Sequence, residues 1–270
     1  MSNRVQLSRP REGVALIEMN TADIGGFVSW EAVNGLADAL QEARESGVRV
    51  SVLSSAFAGH WFEHAWLRDI CDMITKKPTS GPAEGWFRTL SELAAPEVVT
   101  IAAVSGSCAG GGAELGWACD LRVAEEQATF SQPEVLLGLT TGIGGTSRLM
   151  RLVGRTVAAE MVLDGAPMPA RRIYELGGVN RVVPEGGAVK AALDWAERLA
   201  GRPAAALAAL KRILNDNDDK PLTEALRNEQ VEFQKIASTP DAIALMERTQ
   251  ARFDAGESIR EVYGPAREED

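Results

Sequence analysis

The sequence predicts an α/β protein, with strands and helices interleaved in roughly the first 200 residues and helices alone after them. Three observations carry this prediction. Residues 14–19 and 48–54 read as strands around an amphipathic segment at 30–46, the order that opens a parallel β-α-β unit. Residues 96–148 hold an uncharged β-branched run, a triple glycine and two glutamates in apolar surroundings, as expected where a buried strand delivers a loop to the edge of a sheet. After Pro184 the strand signals stop, and Leu, Ala and Ile recur at helical spacing.

Taken in order, 30–46 is helical because Trp30, Val33, Leu36, Ala37, Leu40 and Ala43 share one face, while Glu31, Asp38, Glu42 and Glu45 fall elsewhere. Residues 76–84, KKPTSGPAE, are punctuated by Pro and Gly with no period, so they form a flexible loop before a helix at 86–94. The run 98–104 is the central buried strand, and 113–118 continues as a buried helix. Gly142, Gly144 and Gly145 make a turn before a helix at 146–152; a dinucleotide fingerprint would need glycine where Ser147 stands. Helices follow at 158–163 and 169–176, ending at Gly177 and Gly178, and 179–183 is a short closing strand. Four helices complete the chain, at 188–200, 203–214, 222–236 and 241–253, with Pro203 suited to a first turn. The final Arg-Glu-Glu-Asp is expected to be a solvated tail.

Composition narrows the function classes. Apolar residues make up 45% and charged residues 24% of 270, ordinary values for a globular chain. With 28 Lys plus Arg against 38 Asp plus Glu, a net charge of -10 argues against general affinity for nucleic acid or anionic membranes. The N-terminus is charged where a secretory signal needs an apolar core, and no glycine-free apolar stretch is long enough to span a bilayer. Cys71, Cys108 and Cys119 have no metal-ligand spacing and suit a reducing compartment, so the expectation is a soluble cytoplasmic protein. Cys108, beside the glycines, reads as a small buried thiol in preference to a nucleophile. The patterns G-x-x-x-x-G-K-[ST], H-E-x-x-H and G-x-S-x-G are absent, which withdraws support from nucleotide hydrolysis, zinc chemistry and serine hydrolysis.

The chemistry concentrates around Gly106, Gly110, Gly111 and Gly112. Free N–H groups of Gly111 and Gly112 at the start of a helix form a site for an anion or a developing oxyanion; the alternative is a tight packing turn. Glu114, in a helix otherwise of Ala, Leu, Gly, Trp and Cys, must pair, face water or have a raised pKa. Glu134 poses the same question. Two such carboxylates on one cavity are what acid–base chemistry on neutral water requires.

The runs AAVSGSCAGGGAEL, ACDLRVAEEQATFSQPEVLLGL and TTGIGGTSRLMRLVG closely resemble the enoyl-CoA hydratase/isomerase (crotonase) family. The likeness covers residues 14–253 and is strongest over 96–184. It implies a crotonase-like spiral of β-β-α units at 1–200, carrying the active site, and a C-terminal helical region at 201–270 that builds homotrimers or hexamers. It also implies an acyl-CoA thioester substrate and reversible addition of water to a 2-enoyl thioester. No metal or redox cofactor is expected, coenzyme A being part of the substrate. By position, Gly111 matches the second oxyanion-hole donor, Glu114 the glutamate that activates water, and Glu134 the glutamate that supplies a proton to the α-carbon.

The segment SSAFAGHWFEHAWLRDI departs from the family's F-x-A-G-A-D-L. Ala65 falls on the first oxyanion-hole donor, while His64 stands on the glycine and Trp66 on the aspartate. His64 is either a proton-transfer or substrate-orienting group or a surface histidine, and Trp61, Phe62 and Trp66 are pocket lining or core. His64, Trp66, Leu67, Gly110, Phe233 and Phe253 are the positions expected to meet substrate, the two phenylalanines at its nucleotide end. A second departure, NTADIGGFVS at 20–29, replaces the family's segment for the adenine end of coenzyme A, so a carrier-bound pantetheine or an unusual acyl-CoA is an alternative. Other readings are double-bond isomerisation, decarboxylation or hydrolysis through the same enolate, and a scaffold that lost its chemistry through the altered loop at 59–69. An RNA-binding relative would need a lysine-rich helix face, which is missing.

Overall fold

The computed structural model describes residues 4–264. Their contacts cluster in two compact units that divide between Arg202 and Pro203. The first unit holds both sheets. Strands β1 (Val5–Arg11), β2 (Val14–Met19), β3 (Val50–Ser55), β4 (Val99–Val104), β6 (Leu121–Glu125) and β9 (Arg181–Val183) form one sheet, in the order β1-β2-β3-β4-β6-β9. Only the β1–β2 hairpin is antiparallel. A second sheet, in the order β5-β7-β8, comprises β5 (Ser107–Ala109), β7 (Thr129–Ser131) and β8 (Met168–Pro169).

The two sheets are linked by a repeated step. β4 leads into β5 and β6 into β7, so each consecutive pair gives one strand to each sheet. The segment after each pair therefore starts from the same place: helix α4 (Gly110–Ala118) after β5, and the 3₁₀ turn Pro133–Leu137 after β7. One segment carries Glu114 and the other Glu134.

Helix α1 (Trp30–Glu45) follows its sequence pattern, burying Trp30, Val33, Leu36 and Leu40, with Ser29 as the N-cap accepting from Ala32 N. Helix α3 (Gly85–Ala94) packs on it, and α7 (Ala188–Ala200) lies against the apolar face Val14, Val50, Val52 and Ile101 of the main sheet. Strand β1 was not foreseen, because its alternation is interrupted by Arg9, Pro10 and Arg11; pairing with β2 at the sheet edge decides it. Nor was helix α2 (Leu67–Ile74), which is amphipathic but only eight residues long.

Helix α4 begins at Gly110, three residues before the expected start, because the triple glycine is its first turn and not a preceding loop. The expected helices at 146–152 and 158–163 are one element, α5 (Ser147–Asp164), broken at Gly154, whose φ of 80° and ψ of 160° are not helical. α6 (Ala170–Glu175) completes the helices of the first unit. The second unit is α8 (Ala204–Asn217), α9 (Leu222–Ala237), α10 (Pro240–Asp254) and α11 (Ile259–Tyr263). The C-terminal tail expected at 267–270 lies outside the described residues. Among the described residues no helix is long and apolar enough to cross a membrane.

Two buried polar residues lock the framework. Arg122 donates to the carbonyls of Gly116, Cys119 and Gly178, closing the C-terminal end of α4 where unpaired carbonyls favour a cation; burial lowers its pKa. Asp69 on α2 accepts from Trp30 N and Ser80 N, both at 2.8 Å, and from Ser80 Oγ at 2.6 Å. It thereby ties the loop between α2 and α3 to the start of α1. Three donors on one buried carboxylate make Asp69→Ala a costly change: a loss of about 3 kcal/mol in urea unfolding is expected, with faster proteolysis at 76–84.

Candidate active site

A cavity of about 340 Å³ opens within the first unit, walled largely by apolar residues including Trp30, Ile70, Met73, Trp86 and Ile143. Glu114, Glu134, Ala65, Gly111, His64 and Leu67 all line it. Residues from five separate stretches of sequence, at 30, 64–73, 83–87, 111–114 and 134–143, are thus brought together.

Glu114 is 3% exposed. Its Oε1 accepts from Ile143 N at 2.9 Å and Gly145 N at 2.7 Å, so the turn 142–145 is the partner that the apolar helix does not supply. An unpaired buried carboxylate costs several kcal/mol, and two amide donors offset much of that cost. Oε2 has no hydrogen-bond partner among the described residues. With Oε1 held as an acceptor, Oε2 is the atom able to take a proton.

Glu134 is half-buried at the start of the 3₁₀ turn, where Pro133 fixes the first position. Burial pushes its pKa up to about 7, its own backbone N–H pulls the other way, and the charge of Glu114 adds a smaller upward push. With its amide turned so that both ends are satisfied, the buried Gln132 donates to Glu134 Oε1 at 3.1 Å and accepts from Trp117 Nε1 at 3.3 Å. In that orientation Oε2 of Glu134 is the oxygen left open to carry a proton. Gln132 was not singled out from sequence; its signal was an uncharged polar side chain between the buried Phe130-Ser131 and Pro-Glu.

The glycines have separate tasks. Gly110 has φ 48°, and a Cβ there would stand 2.7 Å from His64 Cβ and 3.3 Å from Glu134 Oε1. A Cβ on Gly112 would lie 2.0 Å from Phe62 O, so only glycine lets α4 approach the 62–65 loop this closely. Gly112 N donates to Glu63 O at 3.1 Å across the same approach. Gly111 is thereby set beside Ala65, whose N lies 3.3 Å from where a Gly111 Cβ would be. Neither the Ala65 N–H nor the Gly111 N–H has a hydrogen-bond partner among the described residues. Two such amides on one cavity wall are chemically able to stabilise an anion there.

Of the other expected positions, Trp66 does not line the cavity; Arg68 lies 5.2 Å over its ring. Its backbone is bonded to Val28, which turns the indole elsewhere. Gly110 touches the site through its neighbours and is not itself a wall. Phe233 and Phe253 belong to the second unit, Phe233 exposed and Phe253 edge-on to Tyr263. Trp61 and Phe62 are core, stacked at 4.0 Å. Cys108 is buried, and burial holds its thiol well above its usual pKa, so it packs.

Residues 9–256 match the family described as enoyl-CoA hydratase/isomerase. A probable enoyl-CoA hydratase of Mycobacterium tuberculosis is 29% identical over 228 residues, 84% of this chain and 88% of its own length. A probable mitochondrial enoyl-CoA hydratase of Arabidopsis thaliana is 28% identical over 245 residues, 88% of this chain and 79% of its own. Among solved structures, an enoyl-CoA hydratase subunit I of Geobacillus kaustophilus superposes with a TM-score of 0.83 at 28% identity, covering 99% of this chain and 98% of that one. A probable enoyl-CoA hydratase/isomerase of Mycobacterium abscessus gives 0.79 at 29% identity, over 95% and 97%. With the sheet-to-sheet strand pairs, the glycine-cradled helix and the match over 9–256 in agreement, the chain belongs to the enoyl-CoA hydratase/isomerase family and has the crotonase fold.

Proposed function

We propose that the protein is an enoyl-CoA hydratase, adding water reversibly and syn across the α,β double bond of a 2-enoyl-CoA thioester. The observation that carries this is the pair of glutamates on one cavity, Glu114 with an open Oε2 and Glu134 with its pKa raised to about 7. On this reading the N–H groups of Ala65 and Gly111 take the thioester oxygen, where enolate charge develops. Glu114 accepts a proton from water as the hydroxyl adds to the β-carbon, and protonated Glu134 delivers its proton to the α-carbon. One proton then passes from Glu114 to Glu134 to restore the starting state, so the sum is enoyl thioester plus water giving 3-hydroxyacyl thioester. A raised pKa suits the donor because it stays substantially protonated near neutrality.

His64 and Leu67 border the thioester on this reading. The helices of 203–270 are proposed to assemble trimers or hexamers, supported by the exposed Leu210, Leu214, Leu222 and Phe233. A cytoplasmic setting is part of the proposal, supported by Cys71, Cys108 and Cys119 having no metal-ligand spacing and suiting a reducing compartment.

The test is to follow loss of conjugated enoyl absorbance with short, medium and branched 2-enoyl-CoA thioesters, alongside Glu114→Gln. Hydration of at least one substrate, reduced about a thousandfold by the substitution, is expected. Failure of every thioester, or a Glu114→Gln rate within tenfold of the native one, overturns the reading.

A further inference from the structure

The two segments that depart from the family pattern, 20–29 and 59–69, are joined to each other. Val28 N donates to His64 O at 3.1 Å, Trp66 N donates to Val28 O at 2.9 Å, and Glu63 N donates to Gly26 O at 3.1 Å. The ring of Phe27 stacks on the imidazole of His64, centroids 4.4 Å apart and planes 28° from parallel. On its other flank His64 Nδ1 is 2.8 Å from Ala65 O. A carbonyl only accepts, so Nδ1 carries the proton.

The His64 carbonyl and the Ala65 N–H are the two ends of one planar peptide unit. Fixing the carbonyl on Val28 and the side chain on Phe27 therefore fixes the direction of the Ala65 N–H. That N–H is left unpaired on the cavity wall. Where the family pattern has glycine, this chain has a side chain that needs a partner, and the altered 20–29 segment provides it.

We propose that Phe27 is a positioning residue, which through the stacked His64 ring and the Val28 bridge aims the Ala65 N–H at the thioester carbonyl. The inference rests on the reading of Ala65 as an oxyanion donor. Hydrogen bonds weaken steeply with misalignment, and one such donor accounts for a hundredfold or more in kcat by mutagenesis of other enzymes. A loosened donor should lose part of that, about tenfold.

The experiment uses the best substrate from the thioester panel, labelled with ¹³C at the thioester carbonyl, and compares native protein with Phe27→Leu and Phe27→Tyr. Leucine keeps volume without a flat face; tyrosine keeps the face. The expected result is a kcat about tenfold lower in Phe27→Leu with KM within threefold. The lowering of the carbonyl infrared stretch on binding, measured in a Glu134→Gln background so that the ligand is not consumed, should fall by at least half. Phe27→Tyr should restore both. Retention of the full carbonyl shift and of kcat within twofold in Phe27→Leu overturns this inference alone. Absence of any shift in Glu134→Gln with Phe27 intact, or of any hydrated thioester, overturns the oxyanion reading and this inference with it.

Discussion

Glu134→Gln is expected to lower the hydration rate by about a thousandfold while leaving thioester affinity within a few fold, because it removes the transferable proton and keeps the side chain's shape. The pH profile is the sharper readout. Burial raises the carboxyl from its ordinary 4.5 to about 7, so the proton-bearing form that hydration needs is lost as pH rises through about 7. kcat/KM for hydration by the native protein should therefore fall above that pH, and kcat/KM for the reverse dehydration should fall with it, because the net reaction releases no proton and both directions use the singly protonated pair of glutamates. Glu134→Gln should show neither limb. A residual profile with the native limb near 7 would assign that titration to another group and remove Glu134 from the proposed role.

The same shift has a stability consequence whose sign is opposite to that of a salt-bridged carboxylate. Between about 4.5 and about 7 the folded protein holds a proton at Glu134 that the unfolded chain has released. Stability from this group is thus greatest at low pH and declines as pH rises through the window. Glutamine carries no such dependence, so the Tm difference, Glu134→Gln minus native, should grow from pH 4.5 to pH 7 and level off above it.

Gly112→Ala is expected to be among the most damaging single methyls in the chain's first unit. The added Cβ would stand 2.0 Å from Phe62 O, 2.3 Å from its carbonyl carbon and 2.6 Å from Glu63 O. These are backbone atoms, so no rotamer change relieves the overlap; α4 and the 62–65 loop must separate. Overpacking at such a site should cost about 3 kcal/mol or more, and it should draw Gly111 away from Ala65, so the surviving folded fraction loses activity as well. Gly138→Ala is the comparison: φ is 69° there, but nothing lies within 4 Å of the new methyl, so only the left-handed backbone is strained, at about 1 kcal/mol. Urea unfolding of the two variants checks the order. Equal losses would mean that backbone conformation, and not close approach, explains the triple glycine.

The amino-acid sequence by itself determined the α/β class, the strand–helix–strand opening at 14–54, the buried central strand, the helices at 188–253 and the two glutamates in apolar surroundings. These are local or periodic properties: β-branched runs, helical spacing and charges out of place can be read without knowing what packs against them. It also marked 20–29 and 59–69 as departures, though as two separate ones. Only the tertiary structure decided what satisfies Glu114, since the amides of Ile143 and Gly145 lie 29 and 31 residues away and backbone donors leave no mark on side-chain identity. The same holds for Gln132 on Glu134, for the unpaired Ala65 N–H, and for the pairing of Val28 with His64. Trp66 was misplaced on the cavity for that reason: its direction follows from a backbone bridge to Val28, a contact across 38 positions that no spacing within the 59–69 segment encodes. Edge strand β1 and the short helix α2 likewise exist because a neighbour completes them, β2 by hydrogen bonds and α1 through Asp69.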